Sequence, residues 1–242
     1  RQVFGLDEAQ TLEMVSRAVR QARELAEGMS DSDIRLEFSP EEFTDTDPRF
    51  ALEVCQAAFE AWGRATAEKP MILNLPATVE RRPPTHYADM IEWFCRHFPY
   101  RDRVSISLHS HNDQGMAVAS TEMAITAGAD RVEGALFGHG ERTGNVDLIV
   151  LAANLESRGI DSGLDLSNLP ELAATVERLT GVPIHARQPY AGEYVFTAFS
   201  GSHQDAINKG LHLLADAPER FGMRWKVPYL HIDPADLGRK YE

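Results

Sequence analysis

Four short apolar runs constrain this chain more than any other feature. They are IRLEFSPE (34–41), MILNLP (71–76), VSISLHSH (104–111) and RVEGALFG (131–138). Each is followed by a longer segment whose apolar residues recur at three- and four-residue spacing, the mark of an amphipathic helix. Val54, Ala58, Phe59 and Trp62 form such a stripe in 48–67, and Met90, Ile91 and Phe94 another in 85–98. Segments 115–129 and 146–159 read as the next two helices, and an earlier one over 7–28 carries Leu12, Val15, Val19, Ala22 and Ala26. The short runs show little polar alternation, so they read as strands covered on both faces. Strand–helix repetition of this kind predicts an α/β fold with a parallel sheet, and doubly wound sheets and (β/α)8 barrels both fit. Polar and glycine-rich residues gather after the strands, in SPE, NLPATVE, HSHND and GHGERTGN. In both architectures that edge holds the active site.

The repeat stops near residue 160. Residues 166–181 read as a helix, 182–184 as a brief extended piece, 188–204 as a loop rich in aromatic and small residues, and 204–216 as another helix. The prolines of VPYLHIDPADLG (227–238) exclude a single helix there. The expected organisation is therefore an α/β domain over 1–159 and a mainly helical subdomain over 160–242. The net charge of −13 argues against a nucleic-acid surface, which needs clustered Lys and Arg. No apolar run approaches the ~20 residues of a membrane span. No basic, apolar leader opens these residues, so the expectation is a cytoplasmic protein with no membrane partner. Cys55 and Cys95 both fall in helical patterns and read as thiols rather than a disulfide.

In SLHSHNDQG (107–115) two histidines stand one residue apart in a strand. Alternate strand side chains share a face, so His109 and His111 point the same way, within reach of one ion. Imidazole suits Zn, Mn, Fe, Co or Ni, and nearby oxygen donors bias a site toward harder divalent ions. Two hydrogen-bonded core histidines are the plainer alternative. The strand-end position beside Asn112 and Asp113 favours the metal, with Asn145 in the loop after the next strand as a further ligand. The glycines of FGHGERTGN (137–145) allow a tight turn, and Glu141 and Arg142 read as an ion pair orienting that loop. EFSPEEF offers Glu37, Ser39 and Glu41 at another strand end, NLPATVE offers Thr78 and Glu80, and GSHQDA offers His203 just before a helix.

Together these strings resemble the 2-isopropylmalate synthase family. SLHSHNDQGMAVA, GADRVEGALFGHGERTGNVDL and FTAFSGSHQDAINKG carry the likeness, and EFSPE, NLPATVE and VPYLHIDPADLGRKYE fit it. It runs along essentially the whole chain. The H-x-H-N-D block is common to a wider group of Claisen-type acyltransferases and lyases, including homocitrate and citramalate synthases and HMG-CoA lyase. The TAFSGSHQDAI block is more specific. The resemblance implies an acyltransferase of leucine biosynthesis, built on a (β/α)8 TIM barrel with a divalent metal (Mg, Mn or Zn) at its C-terminal mouth. It would condense acetyl-CoA with 2-oxoisovalerate. By this likeness His109, His111 and Asn145 hold the metal, Ser39 and Thr78 line the keto-acid pocket, and Glu41, His203 and Tyr229 serve catalysis. A homodimer is implied as well.

His139 stands where the family carries an uncharged residue, and His231 where proline is usual. The family's opening barrel strand, with an LRDG-like string whose Asp ligates the metal, has no counterpart here. The resemblance therefore implies that residues 1–159 are the C-terminal half of the barrel, inactive on their own. Two other readings are a homocitrate or citramalate synthase with the same chemistry, and a non-catalytic half-barrel assembly module.

Overall fold

A computed structural model describes residues 4–218, 225 and 227–241 of the chain. Two compact units are present, one ending at Asp147 and the other beginning at Leu148. The first is α/β. Its strands are β1 (Glu37–Phe38), β2 (Met71–Ala77), β3 (Val104–Ser110) and β4 (Arg131–Glu133). They form one parallel sheet in the order β1-β2-β3-β4. The helices of this unit are α1 (Glu8–Glu27), α2 (Pro48–Trp62), α3 (Pro84–His97) and α4 (Ala117–Thr126). α1 packs on α2, α2 on α3 and α3 on α4.

Local chemistry explains where the helices begin and end. Asp7 and Gln10 form a reciprocal capping box at the start of α1, with Asp7 Oδ1 accepting from Gln10 N at 2.8 Å. Asp47 caps α2, Pro48 occupies its first turn, and Gly63, at φ 64°, closes it in the left-handed conformation. The sheet face turned to the helices is apolar. Met71, Leu73, Leu75, Ile106 and Leu108 are fully buried there with Phe43, Ile91 and Phe94. The alternate positions carry Asn74, Ser107 and His109, and the strand register aligns polar partners along that face: Asn74 with Ser107, Ser107 with Arg131, and His109 with Glu133.

Two strands are shorter than their sequence patterns. Over 34–41 only Glu37 and Phe38 form β1, although Leu36 O still accepts from Ile72 N at 2.9 Å. Among the described residues this strand pairs on one side only, and Pro40 stops it. Pro76 sits inside β2 at no hydrogen-bonding cost. Its nitrogen lies on the same side as Ile72 N, facing the gap beyond the end of β1. Over 131–138 the strand ends at Glu133. Ala135 N instead donates to Val146 O at 3.1 Å, and a turn follows in which Phe137 is buried at φ 58°.

The second unit contains α5 (Leu148–Ser157), α6 (Leu169–Thr180) and α7 (Gly201–Asp216), joined by long loops. The VPI piece forms no strand. Tyr190 donates to Asn154 Oδ1 at 2.6 Å, and Arg239 donates to Tyr190 O and Gly192 O at 3.1 and 2.7 Å, tying the last segment to this loop system. Gly192 has no room for a side chain, since an added Cβ would lie 2.5 Å from Ala186 O. Among the described residues no helix is long and apolar enough to cross a membrane.

Candidate functional site

The C-terminal edge of the sheet gathers the chemistry. His109 and His111 share a face of β3 and its end, with ring centroids 5.2 Å apart. His111 Nδ1 lies 3.2 Å from Ala77 O at the end of β2. A carbonyl only accepts, so that nitrogen carries the proton, and in the neutral ring the lone pair is on Nε2. His109 Nδ1 lies 3.3 Å from Glu133 Oε2, the residue in register with it on β4, and the same tautomer follows. Asn74 Nδ2 stands 3.4 Å from that nitrogen, but its nearer partner is Ser39 Oγ at 3.1 Å. Asn74 Oδ1 is left buried with no hydrogen-bond partner.

Asn145 reaches the same place from the loop after β4. Its Nδ2 is 3.0 Å from His109 Nε2, and its backbone bridges His111. Glycines allow this approach. A Cβ on Gly140 would meet Asn145 Oδ1 at 1.8 Å, and Gly144, at φ 108°, would drive one into Gly138 O at 1.9 Å. The loop is fastened further by Asn112 N donating to Gly144 O and Val146 N donating to Ser110 O, both at 2.9 Å.

The loops after β1 and β2 interlock through Thr78. Its hydroxyl donates to Glu41 Oε2 and accepts from Glu42 N, both at 2.8 Å, and Glu42 adopts φ 61°. Arg142 completes the arrangement. It donates to Thr78 O at 2.7 Å and grips Asp113 with two nitrogens, while Glu141 lies 3.6 Å away as a weaker partner. The Arg142 guanidinium holds the Asp113 carboxyl down at about 2, against some desolvation. Asp113 also accepts from Glu80 N at 2.9 Å. The buried Glu80 side chain accepts from Gln114 N at 2.5 Å and Met116 N at 3.3 Å.

Behind His109 lies a carboxylate pair. Arg131 Nη1 contacts Glu133 Oε1, reaches Glu37 Oε2 at 3.4 Å and donates to Ser107 Oγ at 2.9 Å. Burial and the neighbouring Glu133 raise the Glu37 carboxyl. For Glu133 burial acts upward too, but hydrogen bonds from Glu37 and Arg131 outweigh it and the carboxyl is lowered.

His109 of β3 and Ser39, Glu41, Thr78, His111 and Asn145 of the adjoining loops thus lie along the C-terminal edge of the sheet in the first unit. His203 and Tyr229 meet within the second unit, stacked with ring centroids 4.0 Å apart and planes 21° off parallel. Tyr229 is exposed and held at φ 63°. His231 packs against Tyr190 and Phe196, and burial lowers its pKa, while His139 Nδ1 is buried without a partner. Sequence reasoning missed Asn74, Arg131 and Glu133. Polar residues inside an apolar strand were the available signal, and only the register reveals what they touch.

The donor set can be tested against a divalent cation. Both imidazoles anchor Nδ1 on a protein acceptor, the usual arrangement behind a metal-binding histidine. Asn145 Nδ2 faces Nε2 of His109, so this amide would turn its Oδ1 inward to serve as a ligand. These residues fit part of a coordination shell. Among the described residues no three of His, Cys, Asp and Glu gather as a complete one.

A model described as alpha-isopropylmalate synthase, post-catalytic domain-like matches residues 193–242. The 2-isopropylmalate synthase of Rhodospirillum rubrum is 53% identical over the whole chain, and that of Paraburkholderia phytofirmans 52% over 99% of it. The chain spans only 43% and 41% of those relatives' lengths. Among solved structures, the HMG-CoA lyase of Bacillus subtilis superposes with a TM-score of 0.57 at 22% identity, over 77% of this chain and 61% of that one, a likeness of fold. The HMGL-like model matches residues 1–176, taking in the whole sheet and its loops. That match covers most of the chain, which therefore belongs to the HMGL-like family of TIM-barrel proteins.

Proposed function

We propose that this chain is part of a 2-isopropylmalate synthase, a metal-dependent acyltransferase that joins acetyl-CoA to 2-oxoisovalerate and releases CoA. The observation that carries the reading is the imidazole pair of β3, with each Nδ1 set against a protein acceptor and the Asn145 amide against Nε2 of His109. Identity of about half over the full chain to relatives of that name favours this keto acid over those of homocitrate and citramalate synthases. In this reading residues 1–159 are the C-terminal half of a (β/α)8 barrel and 160–242 a helical subdomain. Four parallel strands in sequence order support it, as does Arg131 of β4 reaching Glu37 of β1 over the polar face. The protein works as a homodimer, as the family likeness implies.

His109, His111 and Asn145 would hold the divalent metal, which when bound supplies Lewis-acid polarisation of a ketone. Ser39 and Thr78 orient the keto acid, Ser39 through its bond to Asn74 and Thr78 through its tie to Glu41. A carboxylate at Glu41 takes a proton from the acetyl methyl group. The resulting carbon nucleophile bonds to the keto carbon, whose oxygen gains a proton. Water then cleaves the thioester, giving a carboxylate and the free thiol of CoA, with His203 and Tyr229 moving protons in these steps.

The test is thiol release by the full-length protein with acetyl-CoA and each of 2-oxoisovalerate, pyruvate and 2-oxoglutarate, with Mg²⁺, Mn²⁺ or Zn²⁺ supplied. The expected result is the highest kcat/KM with 2-oxoisovalerate and loss of turnover after chelation. A preference for another keto acid moves the assignment to a sibling enzyme. No turnover with any of them leaves a non-catalytic module.

A further inference from the structure

Glu133 has no role in the chemistry proposed above, yet three side chains converge on it. His109 Nδ1 lies 3.3 Å from Oε2, Arg131 contacts Oε1, and Glu37 shares that guanidinium at 3.4 Å. The register sets this up, because His109 and Glu133 are direct partners across β3 and β4 while Ser107 and Arg131 are partners one step earlier. Arg131 and Glu133 lie two residues apart on one strand and would meet without any histidine. The distant partner is Glu37. In a flat sheet β1 and β4 would stand about 14 Å apart, three strand spacings of ~4.8 Å. Arg131 spans the polar face to reach it. Glu133 is thereby braced from one side, and only its Oε2 is left for the imidazole.

We infer that Glu133 is a positioning residue: its carboxylate, braced by Arg131 and Glu37, keeps the proton on His109 Nδ1 and the Nε2 lone pair turned toward Asn145. A neutral imidazole has one donor and one acceptor nitrogen, and an anionic acceptor fixes which is which. Without it, both ring nitrogens face amide donors, Asn74 Nδ2 3.4 Å from Nδ1 and Asn145 Nδ2 3.0 Å from Nε2, and no acceptor fixes the tautomer. In the tautomer with its hydrogen on Nε2 the ring has no lone pair there to bind a metal. This inference rests on the metal reading of His109 and His111 given above.

The experiment measures Zn²⁺ affinity of the full-length protein directly, by competition with a chromophoric chelator, together with the melting temperature of the metal-free form. The variants are Glu133→Ala, Glu133→Gln, the double variant Arg131→Met/Glu133→Met and, as control, His109→Ala. Removal of a hydrogen-bonding partner behind a metal ligand costs ~10–100-fold in affinity, and that loss is expected for Glu133→Ala and for the double variant. Glu133→Gln keeps a neutral oxygen acceptor and should retain most of the affinity. The double variant removes the carboxylate without stranding the guanidinium, so it decides the matter if Glu133→Ala does not fold. Parent-like Zn²⁺ affinity in a folded Glu133→Ala or double variant, with His109→Ala impaired, overturns the inference. So does a loss in Glu133→Gln as large as in Glu133→Ala. Failure of the parent protein to bind Zn²⁺, Mn²⁺ or Mg²⁺ instead brings down the metal reading on which the inference stands.

Discussion

Arg142 holds Asp113 through two nitrogens: Nε lies 2.6 Å from Oδ1 and Nη2 3.1 Å from Oδ2. The same guanidinium donates to Thr78 O, so one side chain joins the loops that follow β2, β3 and β4. A residue in the left-handed region makes the connection, with Arg142 at φ 54°. Such a conformation costs ~1–3 kcal/mol in a non-glycine residue and persists where the surroundings fix it.

This pairing predicts acid sensitivity. The folded Asp113 carboxyl sits at about 2, below the ~3.9 of an unfolded chain. Its contribution to stability is fully present above the unfolded value and is lost as pH falls toward 2. Arg142→Met removes the cause, so the acid unfolding transition of the variant should move to higher pH, with the difference from the parent fading below about pH 2. Circular dichroism over an acid titration reads this. Coincident curves for parent and variant would show that the pair does not stabilise the fold.

The glycines of the 137–145 loop separate positioning from folding. Gly140→Ala sets a methyl group where Asn145 Oδ1 now stands. It should weaken Zn²⁺ binding while changing the melting temperature little, because an amide on a loop can swing aside. Gly144→Ala meets the backbone oxygen of Gly138 and keeps φ at 108°, so it should lower stability by ~1–3 kcal/mol or more. Equal Zn²⁺ affinity in Gly140→Ala and parent would remove Asn145 from the ligand set.

The sheet was legible because its helix-facing side is mostly apolar. Met71, Leu73, Leu75, Ile106 and Leu108 announce buried strands whatever follows them. The histidine pair was legible for a similar reason, since an i, i+2 spacing in a strand fixes a shared face. Strand ends were less so. Phe137 is buried like a strand residue yet sits in a left-handed turn, and hydrophobicity carries no record of φ. Glu133 and Asn74 were invisible for another reason. A polar residue in a strand is ordinary until the register sets it beside a particular neighbour, and register depends on pairing across long sequence separations. The expected Glu141–Arg142 pair exists at 3.6 Å, but the closer partner of Arg142 is Asp113, twenty-nine residues away.

Glu80 gives a stability prediction independent of any metal. Its buried carboxylate accepts from Gln114 N and Met116 N, two amides at the entrance to α4. Glu80→Ala leaves both without that acceptor and should cost ~1.5–3 kcal/mol, the scale of hydrogen bonds to a charged group. Urea unfolding of parent and variant measures it. A change below ~0.5 kcal/mol, the scale of an unremarkable surface substitution, would mean that water replaces the carboxylate freely.

His203 and Tyr229 are predicted to act on turnover as a stacked pair. The 4.0 Å contact is ring on ring, so Tyr229→Phe keeps the stack and removes only the hydroxyl, whereas His203→Ala removes both the stack and the imidazole. If the two move protons in the condensation and hydrolysis, His203→Ala in the full-length protein should lower kcat by ~10²-fold or more, the scale of a lost acid–base group. Tyr229→Phe should also lower kcat, with the keto-acid KM nearly unchanged in both variants. The split between the two constants separates this from simple binding, which would raise KM and leave kcat intact. It also separates it from a packing role. Loss of packing alone would be felt in His203→Ala and spared in Tyr229→Phe, because phenylalanine fills the same place against the imidazole. A Tyr229→Phe variant with parent kcat would therefore leave the tyrosine as a platform for His203 and withdraw its hydroxyl from the chemistry.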